Sequence, residues 1–202
     1  MGKLRNTVLI IGEGPTEFYY LQSLNDLFNG LTIKPDIPKH TNLKELDAKI
    51  IEGISLGYQR IYCLIDMDNK TEEPNHSRYE QLKHKYSKPI SRPSKGIYCE
   101  VSFFETHLCT ELFFLYYFGY TSRPFNKQEE MLDAINKYCQ YSKTEDFFKS
   151  CKGLHSYFQK NGGNLDVAIK NADRSLVEKA DTARTYTYSE LGTMIKRLSG
   201  HK

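Results

Sequence analysis

Two short apolar runs, each broken off by a turn that carries an acid, constrain this chain more than any other feature. They are Val8-Leu9-Ile10-Ile11 before Gly12-Glu13-Gly14-Pro15, and Ile61-Tyr62-Cys63-Leu64-Ile65 before Asp66-Met67-Asp68. A continuous apolar run lacks the alternation of a half-exposed strand, so each reads as a strand buried on both faces. Helical sequence separates them. Thr16 to Phe28 sets Phe18, Leu21, Leu24, Leu27 and Phe28 at helical spacing, with Asn29-Gly30 as the stop. A short strand follows at Leu31 to Ile33. Thr41 or Asn42 can then cap a helix whose stripe is Leu43, Leu46, Ile50 and Ile54 and which ends at Gly57. A short helix from Ser77 to Tyr86 leads to a fourth strand at Ile97 to Val101. Crossovers of this length join parallel strands, because a hairpin needs only a short turn. The expected fold class is α/β, a parallel sheet of about four strands with helices on both faces.

Beyond Val101 the pattern turns helical: Phe103 to Phe118, Lys127 to Tyr141, around Leu154 to Phe158, around Leu165 to Ala172, and Tyr188 to Leu198. Gly162-Gly163 and Asp181 to Thr187 read as loops. The expected division is a core over residues 1–102 and a helical C-terminal extension over residues 103–202, packed together as one structural unit. A chain of 202 residues is long enough for one substantial core. Its longest apolar stretch, Leu112 to Phe118, falls far short of the roughly 20 residues that span a bilayer, and no apolar secretory segment opens it. A cytoplasmic location and no membrane partner are expected. Five cysteines without a C-x-x-C pair argue against a disulfide framework or a zinc site. The net charge of +3 permits a polyanionic partner without requiring one.

In a parallel sheet, ligands bind beyond the carboxyl ends of the strands, where Glu13 and Asp66 stand. Asp66 and Asp68 are two apart, so in extended chain both side chains face one way. Carboxylates gathered without a counter-charge repel, and a hard cation such as Mg²⁺ or Mn²⁺ relieves the repulsion. The bland alternatives are an acid near a helix N-terminus and ordinary turn chemistry. Gly12-Glu13-Gly14-Pro15-Thr16-Glu17 is not a dinucleotide loop, because Glu17 takes the third glycine position and both acids would oppose a pyrophosphate. Lys83, Lys85, Lys88, Arg92 and Lys95 lie in a stretch without acids and could track a nucleic-acid backbone, or simply face solvent. The histidines show no metal-ligand spacing.

The order strand, Glu13-Gly14-Pro15-Thr16-Glu17, helix, strand, helix, strand, Asp66-Met67-Asp68 resembles the Toprim superfamily of topoisomerases, primases and related nucleases. Cys109-Thr110-Glu111-Leu112-Phe113-Phe114-Leu115-Tyr116-Tyr117-Phe118 is similar to a helix of RloB-like proteins, and Ala168-Ile169-Lys170-Asn171-Ala172 to that family's C-terminal pattern. The resemblance implies a Toprim-like core and a Mg²⁺- or Mn²⁺-dependent nuclease of bacterial anti-phage defence. It implies action on DNA or RNA, transfer RNA included, with an ATPase partner encoded nearby and room for a homo-oligomer. A non-catalytic or partner-dependent effector that binds nucleic acid or the ATPase is the alternative. By the same resemblance Glu13 is the general acid/base and a metal ligand, Asp66 and Asp68 are catalytic metal ligands, and Glu17 and Glu111 hold a second metal. The first loop is one residue shorter than the family's E-G-x-K-T-E and lacks its lysine. Phe104-Glu105 offers a rival to Glu111, which is the better match.

Overall fold

The structure is a computed structural model that describes residues 7–28, 32–36 and 42–200. The expected stop at Asn29-Gly30, the start of the second strand at Leu31 and the Thr41 cap lie outside the described residues. The chain forms two compact units. Described residues up to Leu64 belong to the first together with Asn69–Phe103, and Ile65–Asp68 belong to the second with those from Phe104 onward.

The first unit is the α/β part. It contains β1 (Thr7–Ile11), α1 (Pro15–Leu24), β2 (Thr32–Asp36), α2 (Leu43–Ser55), most of β3 (Arg60–Asp66), α3 (Asn75–Lys85), β4 (Ile90–Arg92) and the first part of β5 (Ile97–His107). The strand order is β2-β1-β3-β5-β4. β1 is buried throughout and runs parallel to β2, from Thr7 opposite Thr32 to Ile11 opposite Asp36. On its other side it runs parallel to β3, with Leu9 opposite Ile61. A strand hydrogen-bonded on both edges and covered on both faces has nowhere to place a polar side chain, which is why these runs are unbroken. Asn42 caps α2, its side chain accepting the Glu45 N–H at 3.0 Å, and Leu46, Ile50 and Ile54 form the buried stripe.

The sheet has one strand in this unit that the sequence did not announce, β4. β4 is antiparallel to β5, with Ile90 opposite Cys99. A single turn of 3₁₀ helix at Pro93–Lys95 and a left-handed Gly96, φ 64°, close the connection within four residues. That is short enough only for a hairpin.

The second unit holds the ends of β3 and β5, then α4 (Glu111–Tyr116), α5 (Gln128–Ile135), α6 (Glu145–Ser150), α7 (Leu154–Lys160), α8 (Leu165–Thr182), β6 (Tyr188–Ser189) and α9 (Leu191–Ser199). Here the sequence expectation fails between Phe103 and His107, which continue β5 instead of opening a helix. The reason is a partner far away in sequence: Thr106 pairs with Ser189 and His107 with Tyr188, antiparallel, and the Thr106 and Ser189 hydroxyls meet at 2.8 Å. Tyr188 is accordingly strand, and the last helix starts at Leu191. All six residues of α4 are buried. Phe114, Tyr117, Tyr141 and Phe158 cluster around it, with the Phe114 and Phe158 ring centroids 4.9 Å apart. The tyrosine and phenylalanine richness of this region is core. α8 and α9 meet through Gly192, where an added Cβ would lie 2.9 Å from the Cβ of Ala172. Together the elements make a mixed α/β fold, a mostly parallel sheet flanked by helices and followed by a helical C-terminal region. Among the described residues no helix is long and apolar enough to cross a membrane.

Candidate active site

In the first unit, β1 ends at Ile11 and the chain turns through Gly12-Glu13-Gly14 into α1. Gly12 is required by close approach, because a Cβ there would sit 2.4 Å from the Cβ of Glu17. Glu17, at N3 of α1, reaches back so that its Oε2 accepts the Gly14 N–H at 2.7 Å. This is one arm of a capping box, and it occupies a buried carboxylate. Glu13 points elsewhere. Its two oxygens take Lys70 Nζ at 2.8 and 3.0 Å, in a pair whose side chains are only 14% and 8% exposed. Lys70 follows the D-x-D motif in the loop after β3.

Beside this ion pair opens a cavity of about 440 Å³, lined by the Gly12-Glu13 turn, the start of α2 from Asn42 to Leu46, Asn69, Lys70, Asn75 and Arg78. Lys44 and Arg78 are exposed.

In the second unit, Asp66 ends β3 and Asp68 stands two residues on, flanking the buried Met67. Met67 N–H donates to the Thr106 carbonyl at 3.0 Å, tying the chain to β5 just before Asp68 enters a turn. Asp66 Oδ1 accepts both the backbone N–H and the hydroxyl of Thr110, at 2.9 and 3.0 Å. Asp68 Oδ2 receives a long contact, 3.5 Å, from Gln128 Nε2. Gln128 Oε1 in turn accepts from Lys143 Nζ at 3.4 Å. Lys143 pairs at 3.0 Å with Oε1 of Glu111, which is 1% exposed and also accepts the Tyr141 hydroxyl at 3.0 Å. Burial works against the Lys143 charge, yet Glu111 beside it, with Asp66 adding to the field, holds its ammonium above the usual lysine range.

A family model described as RloB-like protein matches residues 8–198, a span that includes both acidic motifs, α4 and all but the last residue of α9. The chain belongs to the RloB-like family. Neither the curated proteins nor the solved structures gave a match.

In this RloB-like chain the acids are not left without counter-charge, and that changes the step from carboxylates to metal. Lys70 neutralises Glu13 and Lys143 neutralises Glu111, so repulsion alone does not demand a cation there. Among the described residues no group of three or more His, Cys, Asp or Glu is set to hold a metal ion. The donor chemistry of Asp66 and Asp68 still suits one. Mg²⁺ keeps several waters and is commonly bound by one or two carboxylates plus substrate phosphates, so two carboxylates this near in sequence at the end of β3 are a sufficient protein contribution. Glu17, as a helix cap, and Glu111, as a buried ion-pair partner, each have a structural use that a metal-ligand role would have to displace. Glu105, the rival to Glu111, accepts the Tyr188 hydroxyl at 3.1 Å.

Of the basic stretch, Lys83 pairs with Glu80 at 3.3 Å and Lys85 with Asp47 at 2.7 Å, whereas Lys88, Arg92 and Lys95 stand exposed around β4. Burial pushes the Cys63 and Cys109 thiols far above the ordinary cysteine range, as fits two buried cysteines that serve packing. Sequence reasoning missed Lys70, Thr110, Gln128, Tyr141 and Lys143. Lys70 and Thr110 were reachable, being next to the motifs. Gln128, Tyr141 and Lys143 carry no local signal, because only the packing of α4 and α5 brings them to these acids.

Proposed function

We propose that this RloB-like protein is a Toprim-type, Mg²⁺- or Mn²⁺-dependent nuclease that hydrolyses phosphodiester bonds of DNA or RNA. The observation that carries the reading is the Asp66–Asp68 pair at the carboxyl end of β3, with Asp66 anchored twice by Thr110 and Asp68 touched by Gln128. Asp66 and Asp68 would hold the ion. When bound, such an ion polarises a phosphate oxygen and makes a coordinated water more acidic. Thr110 fixes the orientation of the Asp66 carboxylate by donating to Oδ1 from both its backbone N–H and its hydroxyl. Glu13 is the proton carrier. In this structure Lys70 pairs with both of its carboxylate oxygens. Anti-phage defence, with an ATPase partner, is the biological setting that the family resemblance favours.

The bidentate Glu13–Lys70 pair favours a second reading as well. A chain whose proton carrier is locked in an ion pair can be a partner-dependent effector that binds nucleic acid and has little activity alone. The test is cleavage of DNA, messenger RNA and transfer RNA in Mg²⁺, Mn²⁺ or EDTA, by wild type beside Asp66→Ala and Asp68→Ala. Metal-dependent cutting lost in both variants supports the nuclease. Equal cutting by all three proteins sinks the site, and cutting that arises only with an ATPase partner added supports the effector.

A further inference from the structure

We infer that the cavity beside the Glu13 turn is a nucleotide-phosphate subsite, with Lys44 and Arg78 as its phosphate contacts. The inference deepens the nuclease reading and rests on it only for the substrate class. The cavity lies wholly within the first unit, and at about 440 Å³ it falls within the range of pockets that enclose small ligands and is large enough for a nucleotide. Its charge is one-sided. Lys44, Lys70 and Arg78 line it against the single carboxylate of Glu13, and Lys70 already neutralises that carboxylate. Lys44 and Arg78 are exposed and make no ion pair with a carboxylate among the described residues, unlike Lys49, Lys83 and Lys85 on the same two helices.

Two cations without a carboxylate partner, on two helices that line one concavity, are suited to an anion held within it. The guanidinium of Arg78 can bind two phosphate oxygens at once, while Lys44 acts as a point charge. The remaining walls suit the rest of a nucleotide. Asn42, whose Oδ1 caps α2, keeps its amide NH2 as a donor, and Asn75, whose Nδ2 donates to the Asn69 carbonyl at 3.1 Å, keeps its Oδ1 as an acceptor for a sugar hydroxyl or a base edge, while Leu43 and Leu46 offer apolar surface for a ring. Glu13 and Lys70 line the same cavity, so a phosphate bound in it shares the space with the ammonium that pairs with Glu13.

The test is equilibrium binding to the full chain in EDTA, where no cleavage can confuse the result. The probes are a nucleoside 5′-monophosphate, the matching uncharged nucleoside, and a short single-stranded oligonucleotide. Wild type is expected to bind the monophosphate saturably, to lose affinity with added salt and to bind the nucleoside far more weakly. Lys44→Ala/Arg78→Ala should bind the monophosphate roughly tenfold more weakly, and Arg78→Lys should recover part of the loss. Both positions are exposed, and an unchanged Tm confirms that the variants fold. Tighter binding of the oligonucleotide than of the monophosphate identifies a strand as the source of the phosphate, and the reverse identifies a free nucleotide. No saturable binding by wild type, equal binding of nucleoside and nucleotide, or equal affinity in the double variant overturns the subsite. A chain that binds nucleotide through Lys44 and Arg78 but never cuts in Mg²⁺ sinks the nuclease reading and leaves this one standing. A chain that cuts, but whose double variant binds as wild type does, sinks the subsite and leaves the nuclease standing.

Discussion

Replacing Lys143 with methionine keeps the aliphatic stem and removes the charge that Glu111 was buried against. Glu111 is 1% exposed and Lys143 32% exposed. Removing one partner of a fully buried pair costs roughly 3 to 5 kcal/mol, because the other charge is stranded in a poorly solvated place. About a third of the Lys143 side chain already meets water, which screens the pair in the native state, and the expected loss for Lys143→Met falls to about 2 kcal/mol. The Tyr141 hydroxyl continues to donate to Glu111 and limits the damage. For a chain of this size that loss lowers Tm by roughly 4 to 8 °C. Adding Glu111→Gln removes the stranded charge while keeping an acceptor for Tyr141, so the double variant should regain at least half of the lost stability. Urea unfolding of wild type, both single variants and the double variant measures this as a cycle. A Lys143→Met loss under about 0.5 kcal/mol, or a double variant no better than Lys143→Met, would overturn this account of the pair. The same proteins test the site. If Glu111 is a metal ligand, about 10 mM Mg²⁺ should raise the Tm of Lys143→Met more than that of wild type. If Glu111 is only an ion-pair partner, the two should respond alike.

Three further outcomes each follow from the surroundings of a single residue. Gly12→Ala forces a Cβ to within 2.4 Å of Glu17 and should cost about 1 to 3 kcal/mol, read by thermal melting; unchanged stability would mean the first turn is not packed this tightly. Thr110→Val removes one of the two hydrogen bonds to Asp66 Oδ1 and should cost about 1 to 2 kcal/mol, with a weaker Mn²⁺ titration if Asp66 holds the ion. Burial lowers the His155 pKa below its ordinary 6.5, so between that value and the lower folded one the unfolded chain binds a proton that the native chain does not. Stability should therefore fall as pH drops below about 6.5, and His155→Gln should flatten that slope in melts taken from pH 7.5 down to 5.

Whatever depends on near neighbours in the chain was legible from the order of residues alone. An apolar run must be buried, so Val8–Ile11 and Ile61–Ile65 could only be interior strands, and the acids that end them could only lie at one edge of the sheet. Asn42 as a cap and Leu46, Ile50 and Ile54 as a stripe follow from helical spacing. Features that depend on partners distant in the chain waited for the fold. Phe103–His107 is strand because Tyr188–Ser189 pairs with it, and no local pattern announces a two-residue strand about 80 residues away. Charge compensation is of the same kind. Glu13, Glu17, Asp66, Asp68 and Glu111 look alike in sequence as acids near turns, but the structure gives them a lysine, a helix N-terminus, a threonine, a glutamine, and a lysine with a tyrosine. A carboxylate's role is set by what faces it, and that is fixed only when the chain has folded.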